Sequence, residues 1–200
     1  MMELKDKVVL ITGAGKGTGA ALALAFAARG AVVAANDISP LNVESVVAEI
    51  IATGGQAKAY VDDIAKKVAV QAIVKDVEDD FGRIDILVNH AAVEPKSPLL
   101  DMDEWDWQRT LSVILGGAFL VTQSVARGMR ERGGGVIIHL ISEAASKLEE
   151  ARGAYLTSMA GLRGFSQQAA EELAPYGIRV HAVDIDVDDP VTRVLDLCLK

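Results

Sequence analysis

Ser142 and Tyr155 lie thirteen residues apart, the first ending the apolar run 136–141 (VIIHLI) and the second opening a helical stretch. A tyrosine whose pKa is lowered can exchange a proton with an alcohol or a carbonyl oxygen. A serine hydroxyl beside it can hold the same oxygen. Spacing alone does not separate this from plain structure, since serines end strands and tyrosines sit on helices in many proteins. What else the chain brings to the same place decides between the two.

A second stretch with chemical potential lies near the N-terminus. In 7–20, KVVLITGAGKGTGA, an apolar run suited to a strand buried on both faces breaks into glycines at alternate positions, Gly13, Gly15, Gly17 and Gly19. An Ala-rich helical run, 20–28, follows. Strand, glycine turn and helix set free backbone N–H groups and the positive end of a helix dipole against a phosphate. Gly15, Gly17 and Ala20 fit the G-x-G-x-x-G/A dinucleotide pattern, with Lys16 and Thr18 in the same loop. A tight turn needing positive φ would use glycine too. However, the next apolar run, 31–36 (AVVAAN), ends at Asp37, 18 residues after Gly19. A carboxylate there can accept hydrogen bonds from the hydroxyls of an adenosine ribose. It would repel a 2′-phosphate, which favours NAD over NADP, whereas Lys16 pulls the other way. Asp37 could instead cap the turn before Pro40; the glycine loop upstream favours the ribose. A P-loop is excluded, because Lys16 is followed by Gly17 and no Gly-Lys-Ser/Thr occurs.

Composition removes several classes. Half of the residues are apolar and 4% aromatic, so Ala, Val, Ile and Leu build the core, as in a parallel α/β sheet. A net charge of −8 argues against a nucleic-acid partner. The one cysteine, Cys198, excludes an intramolecular disulfide framework and a Cys-rich zinc site, and no metal site is expected. The opening MMELKDKVV has no basic region followed by an apolar signal core. No apolar run reaches the length of a membrane span, since Arg29 ends the longest candidate region. A chain of 200 residues suits one domain, 1–200, and a soluble cytoplasmic protein with no membrane partner is expected.

The remaining elements carry the candidate residues to one edge. Residues 41–52 read as a helix closed by Gly54-Gly55, 57–61 as a short strand, and 66–81 as a helix stopped by Gly82. Asp62-Asp63 follow the short strand, where they could touch an adenine or cap the next helix. The fourth strand, 84–88 (IDILV), runs into Asn89-His90-Ala91-Ala92, small and polar residues where a cofactor would lie against the backbone. One long helix, 105–132, carries the apolar stripe Leu111, Ile114, Leu115, Ala118, Val121, Val125 and Met129 and ends at Gly133-Gly134-Gly135. After strand 136–141 come a polar loop, 143–152, a helix over 155–175, a sixth strand, 178–183, and a short helix after Pro190. Alternating strands and helices predict a doubly wound, Rossmann-type parallel sheet with helices on both faces. Its ligand should lie at the carboxyl ends of the strands, where strand order reverses. The glycine loop, Asp37, Asn89 and Ser142 all fall at those ends.

Taken together, these residues resemble the short-chain dehydrogenase/reductase family over nearly the whole chain. Thr12-Gly13-x-x-x-Gly17-x-Gly19 resembles the family's cofactor loop, and Asn89-His90-Ala91-Ala92 its Asn-Asn-Ala-Gly segment. Asp37 falls at the cofactor-choosing acid, Asp63 at the adenine-side acid, and Ser142 and Tyr155 at the catalytic serine and tyrosine. Ile178-Arg179-Val180 resembles the start of the sixth strand. The resemblance implies a cofactor site built from Gly13, Gly15, Lys16, Gly17, Thr18, Gly19, Asp37, Asp63, Asn89 and Ala91. It also implies pairing of the helices 105–132 and 155–175 with those of a second subunit.

The departures from the family concern the chemistry. Tyr-x-x-x-Lys stands here as Tyr155-Leu-Thr-Ser-Met159, and the family's catalytic asparagine aligns with Ile114. By resemblance the lysine holds the nicotinamide ribose and lowers the tyrosine pKa; Met159 can do neither. Pro-Gly after the sixth strand is Ile185-Asp186, the last glycine of Asn-Asn-Ala-Gly is Ala92, and Thr18 replaces an apolar residue. Family members also continue through a substrate loop, a helix and a seventh strand, so the final strand is expected to be missing. As stand-in cations, Arg163, Arg152, Lys147, His139 and His90 each read first as solvated charges or strand residues, with Lys147 and His90 merely reachable. Trp105, Trp107, Glu143 and Leu148 could border the cleft. The expectation is an NAD(P)-dependent oxidoreductase of a small alcohol or ketone, slow, with an alkaline optimum for oxidation. The alternative is a dinucleotide-binding or subunit-pairing protein that kept the fold and lost the chemistry.

Overall fold

Six strands whose side chains alternate between two faces decide which helices cover which side of the sheet. The computed structural model describes residues 4–142 and 151–199. The strands β1 (Val8–Thr12), β2 (Val32–Asp37), β3 (Gln56–Val61), β4 (Ile86–Asn89), β5 (Gly135–Ile141) and β6 (Ile178–Asp184) are all parallel. Their order is β3-β2-β1-β4-β5-β6, so the direction of winding reverses between β1 and β4. This is the doubly wound sheet that the apolar runs predict. Every residue of β1 is buried, as a central strand covered on both faces requires.

Val9, Ile11, Val33, Val88 and Ile138 face one side, against Leu22 and Phe26 of α1 (Gly17–Ala28), Val43 and Ile50 of α2 (Pro40–Ala52), and Val194 of α7 (Pro190–Cys198). Leu10, Ala34, Leu87 and Ile137 face the other, against Val70 and Val77 of α3 (Lys67–Phe81), Val125 and Met129 of α5 (Ala118–Arg132), and Ala169 of α6 (Gly153–Leu173). The helix expected over 105–132 has three parts: α4 (Glu104–Leu111), a π-helical turn Ser112–Gly117, and α5. Ile114 lies inside the π turn, a wound-out segment of the kind that often marks a functional site. The fourth strand runs one residue further than expected and takes in Asn89.

The continuous helical stretch Glu104–Arg132 has the length and mean hydropathy, 1.3, of a membrane span, which corrects the reading that no run reaches that length. Half of its most apolar window is buried inside the fold. Val113, Ile114, Val121, Val125 and Met129 of this stretch are all in the core. A core helix passes the same length-and-composition test.

Four buried polar side chains thread through this apolar packing. Asn89 Nδ2 donates to Thr122 Oγ1 at 3.1 Å, and Thr122 Oγ1 lies 3.0 Å from His139 Nε2. His139 Nδ1 lies 2.7 Å from Ser166 Oγ, which donates to the Leu162 carbonyl at 2.6 Å. Donors and acceptors fix the tautomer. Ser166 gives its proton to Leu162, so it accepts from His139 Nδ1–H. Nε2 is therefore bare and accepts from the Thr122 hydroxyl. The ring is wholly buried and stacks on Phe165, with centroids 5.4 Å apart. A protonated ring would set Nε2–H against the Thr122 hydroxyl, and burial holds the His139 pKa down at about 4.

The unfolded chain therefore takes up a proton on this residue that the folded chain refuses. Stability is expected to fall as pH drops from roughly 6.5 towards 4, by on the order of 3 kcal/mol from His139 alone. His139→Asn can keep a bond to each side and cannot titrate there. Comparing urea midpoints of parent and variant at about pH 7 and about pH 4.5 checks this. An acid loss as large in the variant as in the parent would contradict the assignment.

Candidate active site

At the carboxyl edge of the sheet β1 turns into α1 through the glycine loop. Gly13 has φ +67 and lies against Ala91, where a Cβ would come within 2.8 Å of the Ala91 Cα. At Gly19 a Cβ would run into the Gly13 carbonyl oxygen and the His90 ring. The first turn of α1 therefore sits directly under the loop. Lys16 caps that helix without a side-chain bond, and no acidic residue occupies its first turn, so its leading N–H groups keep their pull on an anion. A cavity of about 310 Å³ opens in front, lined by Gly13, Lys16, Asp37, Asp63, His90 and Ala91 among others.

Asp37 takes the turn role expected for it and also lines the cavity. One carboxylate oxygen accepts the Gly15 N–H at 3.0 Å and the other the Ser39 N–H at 2.9 Å, so it braces loop and turn while facing the cavity. Asp63 binds Arg109 Nη1 at 2.8 Å. Burial works to raise its pKa, but the Arg109 guanidinium and the Ala65 N–H outweigh that and hold the carboxyl below the usual range. Burial pushes the His90 pKa down, opposed by the Asp37 carboxylate. The Thr12 hydroxyl accepts the N–H groups of His90 (3.0 Å) and Ala91 (3.2 Å) and ties the turn after β4 to the end of β1.

Ser142 and Tyr155 meet. β5 ends immediately before Ser142, α6 begins two residues before Tyr155, and the Ser142 hydroxyl lies close enough to favour the Tyr155 phenolate. Both residues are buried, at 3% and 6% exposure. Ser142 Oγ also donates to Asp186 Oδ2 at 2.6 Å. The turn carrying Asp186 is anchored on β5 by Ile185 N–H to the Ile141 carbonyl (2.9 Å), and its own N–H is held by the Asp184 carboxylate (2.9 Å). Burial raises the Tyr155 pKa; the bond from Ser142 opposes the rise, the Glu94 carboxylate adds to it, Arg152 opposes it and Asp186 adds to it. Arg152 lies 4.9 Å over the Tyr155 ring and is paired with Glu94 at 2.5 Å.

Behind Tyr155 the surroundings are apolar. Ile114, Ala118, Ile141, Met159 and Leu162 form one buried cluster with it. A void of only about 10 Å³ remains between Asn89, His90, Ile114 and Met159. Asn89 Oδ1, buried beside that void, finds no hydrogen-bond partner among the described residues.

The sequence-predicted residues thus separate into groups. Gly13, Lys16, Asp37, Asp63 and Ala91 line one cavity. Gly15 is bonded to Asp37, Gly17 and Thr18 open α1, and Gly19 and Asn89 are buried beneath. Neither Trp105, 69% exposed, nor Trp107 lines the cavity. Glu143, Lys147 and Leu148 lie outside the described residues. Among the stand-in cations, Arg152 comes over the tyrosine ring, although in sequence it reads as a loop charge, and His139 belongs to the buried polar chain. Sequence reasoning missed Arg109 and Asp186, whose partners are 46 and 44 residues away and leave no local pattern.

The chain matches the model of the short chain dehydrogenase family over residues 7–187. It is 39% identical over 180 residues to D-threitol dehydrogenase of Mycolicibacterium smegmatis, covering 90% of this chain and 69% of that one. The structure of NAD+-bound xylitol dehydrogenase superposes with a TM-score of 0.87 at 36% identity, over 90% of this chain and 70% of the other. That of a metagenomic short-chain oxidoreductase in complex with NADP superposes with a TM-score of 0.94 at 31% identity, over 99% and 93%.

Proposed function

Because the chain belongs to the short-chain dehydrogenase/reductase family, we propose that it is a cytoplasmic, NAD-dependent oxidoreductase that interconverts a small alcohol and its ketone, with low catalytic power. What supports the reading is the meeting of the Ser142 and Tyr155 hydroxyls at the same sheet edge as the glycine-floored cavity. A dinucleotide fits the groups present. The uncapped first turn of α1 suits its phosphates, Asp37 its adenosine ribose, and the unpartnered Asn89 Oδ1 marks a buried acceptor close to where it would lie. When bound, NAD supplies the acceptor for hydride. Tyr155 passes the proton and Ser142 keeps its hydroxyl beside it.

The low power follows from Met159 and Ile114. They close the rear of Tyr155 with hydrocarbon, so no ammonium there favours the phenolate. The same cluster is the observation favouring a second reading, a dinucleotide-binding protein without turnover.

Pairing with a second copy goes with either reading. A groove of about 430 Å³ between α5 and α6, remote from Tyr155, is bordered by Phe119 and Tyr176, 43% and 44% exposed. Arg127, Arg130 and Glu172 line the same groove, so it offers both signs of charge to a second copy of itself.

Three measurements check these statements. NADH is expected to bind roughly tenfold or more tighter than NADPH, and Asp37→Ser to narrow the gap; failure to bind either would remove the cofactor site. Ile114→Asn combined with Met159→Lys is expected to raise kcat roughly tenfold or more, and an unchanged rate would show that another group had already taken over. Sedimentation is expected to give a dimer or larger, reduced to monomer by Phe119→Arg, and a monomeric parent would rule out pairing.

A further inference from the structure

Strand order fixes where the base of a dinucleotide falls along the sheet edge. The glycine loop follows β1, Asp37 ends β2 beside it, and Asp62-Asp63 follow β3, one strand further out. With phosphates at the loop and the adenosine ribose at Asp37, the base lies at the β3 end of the cavity. Asn36 holds that end together, its Nδ2 donating to the Tyr60 carbonyl at 2.9 Å and the Asp62 carbonyl at 3.2 Å. The lining there is Asp62, Asp63, Ile64, Arg109 and Val113.

A carboxylate at this end invites the amino group of adenine, yet both oxygens of Asp63 are engaged by the protein. Oδ1 accepts the Ala65 N–H at 3.0 Å and Oδ2 accepts from Arg109 Nη1 at 2.8 Å. The second bond is charge-assisted on both sides, and a neutral amino group competes poorly against it. Of the pair the arginine shows more of itself, 24% of its side chain against 13% for the aspartate. A guanidinium is a flat, weakly hydrated cation that lies well on the face of an aromatic ring. Arg109 near the end of α4, Val113 in the π turn and Ile64 after β3 all line the cavity, so a flat base meets a charged plane and hydrocarbon.

We propose that Arg109, braced by Asp63, is the residue that holds the cofactor's base, through the plane of its guanidinium, and that the site takes a purine without reading the amino group of adenine. This rests on the dinucleotide reading of the same cavity. Arg109 is then the contact, and Asp63 a positioning residue that fixes the guanidinium. Stacking is indifferent to what a purine carries on its edge, because every base has a π face. A carboxylate accepting from the amino group, whether Asp63 or Asp62, is not indifferent, because hypoxanthine has a carbonyl oxygen in that place.

The two modes give opposite results for NADH and its deamino form, reduced nicotinamide hypoxanthine dinucleotide, titrated by nicotinamide fluorescence without any substrate. The parent is expected to bind the two within about threefold of each other, and Arg109→Ala to weaken both by roughly tenfold. Arg109→Lys keeps a cation on Asp63 and removes the plane, so it should weaken both while its urea midpoint stays with the parent's. Asp63→Asn should weaken both alike by loosening the arginine. A parent that binds deamino-NADH roughly tenfold or more weakly than NADH overturns the proposal and leaves the dinucleotide site standing. So does an Asp63→Asn variant that loses affinity for NADH alone, and so do Arg109 variants that bind both as the parent does. A parent that binds neither form removes the dinucleotide site and the proposal with it.

Discussion

The reacting edge depends on the buried hydrogen-bond chain from Asn89 through Thr122 and His139 to Ser166. Its four members come from β4, α5, β5 and α6, so it ties together the elements that carry Asn89, Ser142 and Tyr155. His139 precedes Ser142 by three residues on the β5 side, and Ser166 shares α6 with Tyr155. Holding His139 to Ser166 therefore sets the height of α6 against β5, and with it the meeting of serine and tyrosine. Each bond contributes about 1 kcal/mol net, but a member deprived of its partner costs about 1–3 kcal/mol. That asymmetry makes the chain specify one register of helix on sheet where apolar packing alone would tolerate several.

Against this fixed frame the two sides of Tyr155 have opposite chemistry. Burying Ile114 and Met159 contributes roughly 1.5–3 kcal/mol each, in a place where a lysine would pay desolvation for its charge. Fold stability and phenolate stability compete for the same two positions, and here the fold has them. Burial among hydrocarbon holds the Tyr155 pKa above its ordinary value. Whatever chemistry Tyr155 performs must then be supported from the front, where Ser142, Asp186 and Arg152 stand.

The inner strands were legible because they are short, mostly apolar runs bounded by turn residues, and the edge strands β3 and β6, which carry polar residues, from their place between helices. The glycine loop was legible because a strand, a turn and a helix in sequence are also neighbours in space. Ser142 and Tyr155 were legible through the family resemblance, their spacing alone being common. The π turn was not, because Ile114 and Ala118 keep the spacing of an ordinary helical stripe while the backbone between them widens. Arg109 and Asp186 were not, because each acts across the tips of elements far apart in sequence. Helix periodicity reports which face is buried and says nothing of what a polar residue at an element's end will touch.

Three of the acids at the ends of strands, Asp37, Asp63 and Asp186, illustrate how much the partner decides. Asp37 accepts backbone N–H groups of Gly15 and Ser39, protons that an amide does not give up. Asp63 holds the guanidinium of Arg109, which stays charged at any pH the protein meets. Both carboxylates are thereby fixed as acceptors, suited to bracing a loop or facing a ribose. Asp186 accepts from the Ser142 hydroxyl, and a hydroxyl can both give and take a proton. The same functional group near the strand ends of one edge meets amide or guanidinium donors in two cases and a hydroxyl in the third. The difference lies in the donor, and a strand-end position read from sequence does not contain it.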